Sequence, residues 1–281
     1  MNLTAKQFDL GNARACVAVA RTAYDTYTIH NEGTDTYCWI WEEKDCITIA
    51  FRGSVSIRNW ITDAEFERTI LVSAVDGTCS KVHLTCDLLI PVKSVVSAVD
   101  GTCSKVHRGF ERALNSIWEK LYAALGGCAV FNVQNCKPIF VTGHSLGGAL
   151  AILAALSLDR NGFQVAQVYT FGQPRVGNGD FKKRYDAALG DKTFRVVYEE
   201  DIVARIPHLP DWGDLYRHVG TEIFQPATTG GRVVNPSLWF LLKSDLWGIY
   251  RAFIIKHFAG AAEPMDDHHI SNYVAALQSN D

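Results

Sequence analysis

Apolar residues between positions 4 and 24 fall at Phe8, Cys16, Val17, Val19, Ala20 and Ala23, mostly at helical spacing, and residues 31–33 then supply a turn. An opening helix is predicted there. Residues 37–41 and 46–51 are rich in β-branched and aromatic types and flank the polar run Glu42-Glu43-Lys44-Asp45, a hairpin pattern. Further on, the pattern predicts helices at 116–125, 146–158, 180–189 and 270–277, with strands at 138–142, 165–171 and 194–198. Short apolar strands alternating with helices imply an α/β fold whose mostly parallel sheet is covered by helices on both faces. One domain spanning residues 1–281 accommodates all of it.

The chain repeats itself once. Residues 72–83 and 96–107 are both Val-Ser-Ala-Val-Asp-Gly-Thr-Cys-Ser-Lys-Val-His. A single pair at a 24-residue period is a tandem duplication and not a solenoid, which needs several stacked units. Removing 72–95 or 84–107 leaves the same sequence, so one copy is surplus to the fold. The added block is apolar at Leu88, Leu89, Ile90, Val95 and Val96 and is expected to form an extra strand or a packed surface excursion.

Composition excludes several classes. With 281 residues, 48% hydrophobic and 20% charged, the chain has the make-up of a globular protein with a sizeable core. Its 27 basic and 30 acidic residues give no positive field for a phosphate backbone, so nucleic acid is not an expected partner. Residues 1–7 lack the basic start, apolar stretch and cleavage site of a secretory signal, which predicts cytoplasmic synthesis or a leader already removed. The most apolar segment, 236–258, is interrupted by Lys243, Asp245, Arg251 and Lys256 and is read as buried or interfacial, not transmembrane. Eight cysteines in so long a chain do not make a disulfide framework. Duplication also creates Cys79-x3-His83-x2-Cys86 and Cys103-x3-His107, but these spacings fit no standard zinc finger, so neither metal nor cofactor is expected.

Residues 139–148, Ile-Phe-Val-Thr-Gly-His-Ser-Leu-Gly-Gly, carry an apolar strand through G-x-S-x-G into an Ala/Leu helix. That context puts Ser145 on a tight strand-to-helix turn, with helix N–H groups facing a developing oxyanion. A serine hydroxyl is a weak nucleophile near neutral pH and needs a histidine to take its proton and a carboxylate to orient that histidine. The strand at 194–198 ends in Glu199-Glu200-Asp201, at the sheet edge where sites form, and pattern alone does not choose among the three. Candidate bases downstream are His208, His218, His257, His268 and His269, the last two in a polar loop before the final helix. Gln173, Arg175 and Asn178 are read as structural polar residues of a sheet loop.

Several blocks together resemble the fungal-type (class 3) lipases of the α/β-hydrolase fold: residues 49–63 (IAFRGSVSIRNWITD), 105–110 (KVHRGF), 141–148 (VTGHSLGG), 170–178 (TFGQPRVGN), and Asp201-Ile-Val with Pro207-His-Leu-Pro210. The resemblance runs from Ile47 to Leu277. It implies Ser145 as nucleophile, Asp201 as triad acid, and His268 as base within Asp267-His268-His269-Ile270-Ser271-Asn272-Tyr273. A second histidine departs from the family pattern there and keeps His269 as the alternative base. The oxyanion hole implied is the backbone N–H of Ser54 and Leu146, with the Ser54 hydroxyl. Residues 56–63 place Ile57, Trp60 and Ile61 on one apolar helix face and resemble the family's lid. The duplication follows directly after that lid. Expected activity is hydrolysis of an acylglycerol or another ester at a lipid–water interface, with peripheral lipid contact. Phospholipase A1, feruloyl esterase, and a silent lipid-binding relative blocked by the insert are the alternatives.

Overall fold

The computed structural model describes residues 1–53, 104–126, 137–199, 201–206, 216–226, 231–236 and 267–278. In chain order they form α1 (Leu10–Thr22), β1 (Ile29–Asn31), β2 (Thr36–Glu42), β3 (Ile47–Phe51), α2 (Arg108–Ala124), β4 (Ile139–His144), α3 (Leu146–Arg160), β5 (Val165–Phe171), α4 (Gly179–Leu189), β6 (Thr193–Tyr198), β7 (Thr221–Gln225), β8 (Val233–Val234) and α5 (Ile270–Gln278). Among the described residues the strands make one eight-stranded sheet whose spatial order follows the chain. β1, β2 and β3 pair antiparallel, β3 through β7 pair parallel, and β8 closes antiparallel on β7. Parallel neighbours require crossovers, and α3 and α4 supply them between β4, β5 and β6.

All six residues of β4 are buried, the mark of a central parallel strand covered on both faces. Its side chains alternate between two cores. Ile139 and Val141 join the layer of α2 and α3, whereas Phe140 joins Tyr169, Phe171 and Phe194 under α1 and α5. On that second side Thr142 donates its hydroxyl proton to the Cys16 carbonyl of α1 at 3.4 Å. The chain of even positions on β4 therefore faces α1. α3 is buried nearly all round, from Gly147 to Leu158, which explains its uniformly Ala/Leu composition.

Helix starts are decided by caps. α1 begins at Leu10, later than the predicted residue 4, because the Asp9 carboxylate accepts the Asn12 N–H at 2.7 Å. α2 begins at Arg108, earlier than the predicted 116. His107 caps it, its Nδ1 accepting the Gly109 N–H at 3.2 Å, and Phe110, Ala113 and Leu114 extend the buried stripe of Ile117, Trp118 and Leu121. β1, β7 and β8 had no sequence expectation. They are short, and their pairing partners carry them.

Of the second repeat copy, residues 104–107 are described and are bonded into the fold. His107 N–H donates to the Val176 carbonyl at 3.0 Å, and Asn178 N–H to the Lys105 carbonyl at 2.9 Å. Asn178 also accepts the Lys105 N–H and, as cap of α4, the Phe181 N–H, both at 3.0 Å. This is the structural role read for Asn178. Gln173 accepts from the Thr170 hydroxyl at 2.8 Å, and Arg175 donates to the Arg205 carbonyl. The remainder of residues 72–103 lies outside the described residues, as does the apolar segment 237–258. No helix among the described residues is long and apolar enough to cross a membrane.

Candidate active site

β4 ends at His144, and the chain turns sharply into α3 through Ser145, whose backbone sits at φ 58°, ψ −128°. Such a conformation costs a non-glycine residue on the order of 1–3 kcal/mol and persists only where its surroundings hold it. Here they do. Ser145 N–H donates to the Phe171 carbonyl at 2.9 Å, and the Ser145 carbonyl accepts from Gly148 N–H at 2.9 Å. The turn also needs two close approaches. A Cβ on Gly143 would lie 2.2 Å from the Gly147 oxygen, and one on Gly147 would lie 2.0 Å from the Phe51 oxygen. Leu146 is the first residue of α3, so its N–H is among those with no acceptor within the helix.

Asp201 follows β6 by a tight turn, its N–H donating to the Tyr198 carbonyl at 3.0 Å. Its carboxylate is fully buried and accepts from Val203 N–H at 2.8 Å and from His268 Nδ1 at 2.7 Å. The Tyr273 hydroxyl, from α5, donates to the same carboxylate. Burial alone pushes the Asp201 carboxyl up. The His268 charge, with hydrogen bonds from His268 and Tyr273, outweighs that and holds it below the ordinary carboxylate range. It is therefore an anion aimed at a histidine.

With Nδ1 donating to Asp201, His268 presents Nε2 as its basic nitrogen, a tautomer read from the hydrogen-bond network. Among the described residues, His268 Nε2 and Ser145 Oγ are both buried and have no hydrogen-bond partner. His269 lies differently. It is exposed and bonds the Ser271 hydroxyl through Nδ1 at 2.6 Å. The structure thus brings together Ser145, Asp201 and His268 at the carboxyl ends of β4, β5 and β6. Glu199 stands at the turn with φ 41°, and His218 donates to the Ala204 carbonyl at 2.7 Å, away from the carboxylate. Ser54, Ile57, Trp60, Ile61, Glu200, His208 and His257 lie outside the described residues.

Three contributors escaped sequence reading. Tyr273, Gly172 and Tyr24 meet the site from distant segments. A Cβ on Gly172, at φ 58°, would come within 2.5 Å of Asp201 Oδ2. Tyr24 bonds His144, a pairing across 120 positions that no local pattern reveals. Tyr273 and Gly172 each carried a sequence signal, the first as the tyrosine closing the histidine motif and the second as a glycine of the 170–178 block.

Acid sensitivity follows from two buried histidines. Burial pushes His107 down to about 4, and burial with the His268 charge pushes His144 down to about 3, both from 6.5. Below pH 6.5 the unfolded chain protonates these rings while the folded chain does not, so their stabilising contribution is complete above that pH and lost as pH falls. Each ring accounts for up to about 1.4 kcal/mol per pH unit. Thermal unfolding is expected at progressively lower temperature from pH 7 to pH 5, and His107→Asn, which keeps a cap, is expected to flatten that slope. An unchanged slope in the variant refutes the assignment to His107.

A family model described as lipase (class 3) matches residues 48–210. Secreted mono- and diacylglycerol lipase 1 of Fusarium solani is 35% identical over 179 residues, 63% of this chain and 43% of that protein. The lipase of Rhizomucor miehei is 35% identical over 185 residues, 64% of this chain and 42% of that protein. The chain spans about half the length of the curated relatives it matches. Among solved structures, the native Rhizomucor miehei lipase propeptide complex superposes with a TM-score of 0.53 at 26% identity, covering 77% of this chain and 68% of that one.

Proposed function

The chain belongs to the class 3 lipase family, and on that premise we propose that it is a serine carboxylester hydrolase acting on acylglycerols. The observation that carries this reading is the buried Asp201 carboxylate bonded to His268 Nδ1, with His268 Nε2 and Ser145 Oγ both buried and neither engaged in a hydrogen bond. Ser145 Oγ attacks the ester carbonyl carbon while its proton passes to His268 Nε2. Asp201 stabilises the imidazolium so formed. The tetrahedral oxyanion is met by the Leu146 N–H at the start of α3, and by Ser54. Collapse expels the alcohol, which takes the proton from His268 and leaves an acyl-Ser145 ester. Water then attacks that ester, gives its proton to His268, and releases the carboxylic acid with Ser145 restored.

Residues 56–63, whose Ile57, Trp60 and Ile61 are spaced i, i+3 and i+4 in sequence, are proposed as a lid that opens at a lipid surface. Acylglycerol is favoured over other esters by the activities of the chain's relatives, mono- and diacylglycerol lipases among them.

The test is labelling with a fluorophosphonate, mapped by mass spectrometry, beside hydrolysis of acylglycerol, phospholipid and feruloyl esters. A single adduct on Ser145 is expected, with none in Ser145→Ala and acylglycerol turnover falling at least about 10⁴-fold in that variant. Retained turnover in Ser145→Ala, or an adduct elsewhere, removes Ser145 as nucleophile. Preference for phospholipid or feruloyl ester reassigns the substrate. Labelling only after deletion of residues 84–107 identifies the duplicated block as a closure over the site.

A further inference from the structure

Taking Ser145 and His268 as nucleophile and base, as proposed above, we infer that Tyr24 and His144 are positioning residues, a hydrogen-bonded link that holds the serine turn, the histidine loop and the strand end before Ser54 in one register. His144 immediately precedes Ser145 and, like Phe140 and Thr142, faces α1 across the sheet. Tyr24 stands just beyond the C-terminus of α1, and its hydroxyl meets His144 Nδ1 at 2.7 Å. On the other side of the ring, His144 Nε2 meets the His268 backbone carbonyl at 2.7 Å. The same tyrosine oxygen lies against Gly53, where a Cβ would approach it to 2.3 Å. One phenol and one imidazole therefore touch all three segments.

The direction of each bond is forced. A carbonyl only accepts, so His144 Nε2 carries the proton, and the neutral ring's Nδ1 must accept from the Tyr24 hydroxyl. Tyr24 thereby selects the tautomer that can hold His268. The link also sits where its charge matters, because the His144 and His268 rings stack with centroids 4.6 Å apart and 30° between planes. The groups facing His144 are His268, Asp201, His269 and Tyr24, with Tyr273 edge-on at 5.7 Å. Burial pushes the ring down to about 3 and so keeps it neutral near neutral pH. An uncharged face is thus presented to His268 when it becomes imidazolium, where a second cation would oppose the proton transfer.

Tyr24→Phe removes one oxygen and leaves either an unsatisfied buried nitrogen or the other tautomer, whose lone pair faces the His268 carbonyl. Both loosen the base relative to Ser145. Small misplacements of a reacting group cost rate without costing binding, so kcat is expected to fall about tenfold or more with KM little changed. His144→Phe keeps the ring stack and loses both hydrogen bonds, and is expected to fall comparably. His144→Gln restores a donor at the position of Nε2, and is expected to recover most of the loss seen in the phenylalanine variant.

The experiment measures kcat and KM on a soluble short-chain ester for the parent and the three variants, with thermal midpoints alongside. A fall in kcat in Tyr24→Phe at unchanged KM, measured at a temperature where the thermal scan shows every variant folded and rescued at position 144 by Gln over Phe, supports the link. Unchanged kcat in Tyr24→Phe, a change confined to KM, or equal losses in Gln and Phe overturns it. If His144→Phe does not fold, Tyr24→Phe carries the decision alone. A parent that neither labels with fluorophosphonate nor turns over refutes the hydrolase reading instead, so the two failures are distinguishable.

Discussion

Replacing Asp201 by asparagine is expected to lower kcat about 10⁴-fold while the protein stays folded. Val203 N–H still finds an acceptor in the amide oxygen, so the short turn after β6 keeps its bond. What is lost is orientation and charge. Asparagine cannot hold His268 with Nδ1–H pointing inward and Nε2 bare, and no anion remains to stabilise the imidazolium. Hydrolysis of a soluble ester, measured with circular dichroism as the folding control, decides it; kcat within tenfold of the parent would remove Asp201 from the mechanism. The companion pair is His268→Ala and His269→Ala. The first is expected to abolish turnover, whereas the second, on an exposed ring bonded to Ser271, is expected to stay within about twofold of the parent.

The largest expected effect on stability is Gly147→Ala. Its Cβ would sit 2.0 Å from the Phe51 oxygen, 2.7 Å from the Phe51 carbonyl carbon and 2.9 Å from that of Arg52, all backbone. None can swing aside as a side chain would. β3 is paired on both edges and α3 is buried nearly all round, so relief requires displacing a helix from the sheet. Destabilisation of about 4 kcal/mol or more is expected, against a total stability of about 5–15 kcal/mol for a typical protein. The control is Gly179→Ala at the start of α4, where an added Cβ meets nothing within 4 Å. That substitution is expected to be neutral or stabilising by about 0.5 kcal/mol, through reduced freedom of the unfolded chain. Chemical denaturation of both variants checks the contrast; a midpoint for Gly147→Ala near the parent's would show that α3 and β3 can part at small cost.

Both predictions concern contacts between segments far apart in the chain, and that is where sequence reading and structure divide. The strand at residues 165–171 was legible to the residue, and the ends of β6, α3 and α4 nearly so, because a strand buried on both faces is mostly apolar, a central helix is small and apolar all round, and α4 places Phe181, Tyr185 and Leu189 at helical spacing on one buried face. The turn at Ser145 was legible for a related reason. Glycine at 143 and 147 is required by backbone approach, and the requirement leaves a pattern in five residues. Short strands at the margins of the sheet left none. Thr221–Gln225 mixes charge and apolarity, and its pairing with β6 makes it a strand.

The site divides the same way. Sequence by itself determined the serine turn, because its constraint is local; residue pattern narrowed the acid to residues 199–201 and the base to a handful of histidines, and the family resemblance pointed to Asp201 and His268, with His269 as the alternative. Which carboxylate is buried against which ring depends on β6 and α5 meeting across the sheet, a distance of 67 positions between Asp201 and His268. The family motif favoured His268 and kept His269 as the alternative; in the fold His268 is buried on Asp201 and His269 is exposed on Ser271, since adjacent residues ahead of a helix point in different directions and composition cannot say which faces inward. Only the fold brings Tyr24, His144 and Tyr273 around the same atoms. Local geometry is written in neighbouring residues, whereas a hydrogen-bonded site is assembled from side chains whose only common property is the place to which the fold delivers them.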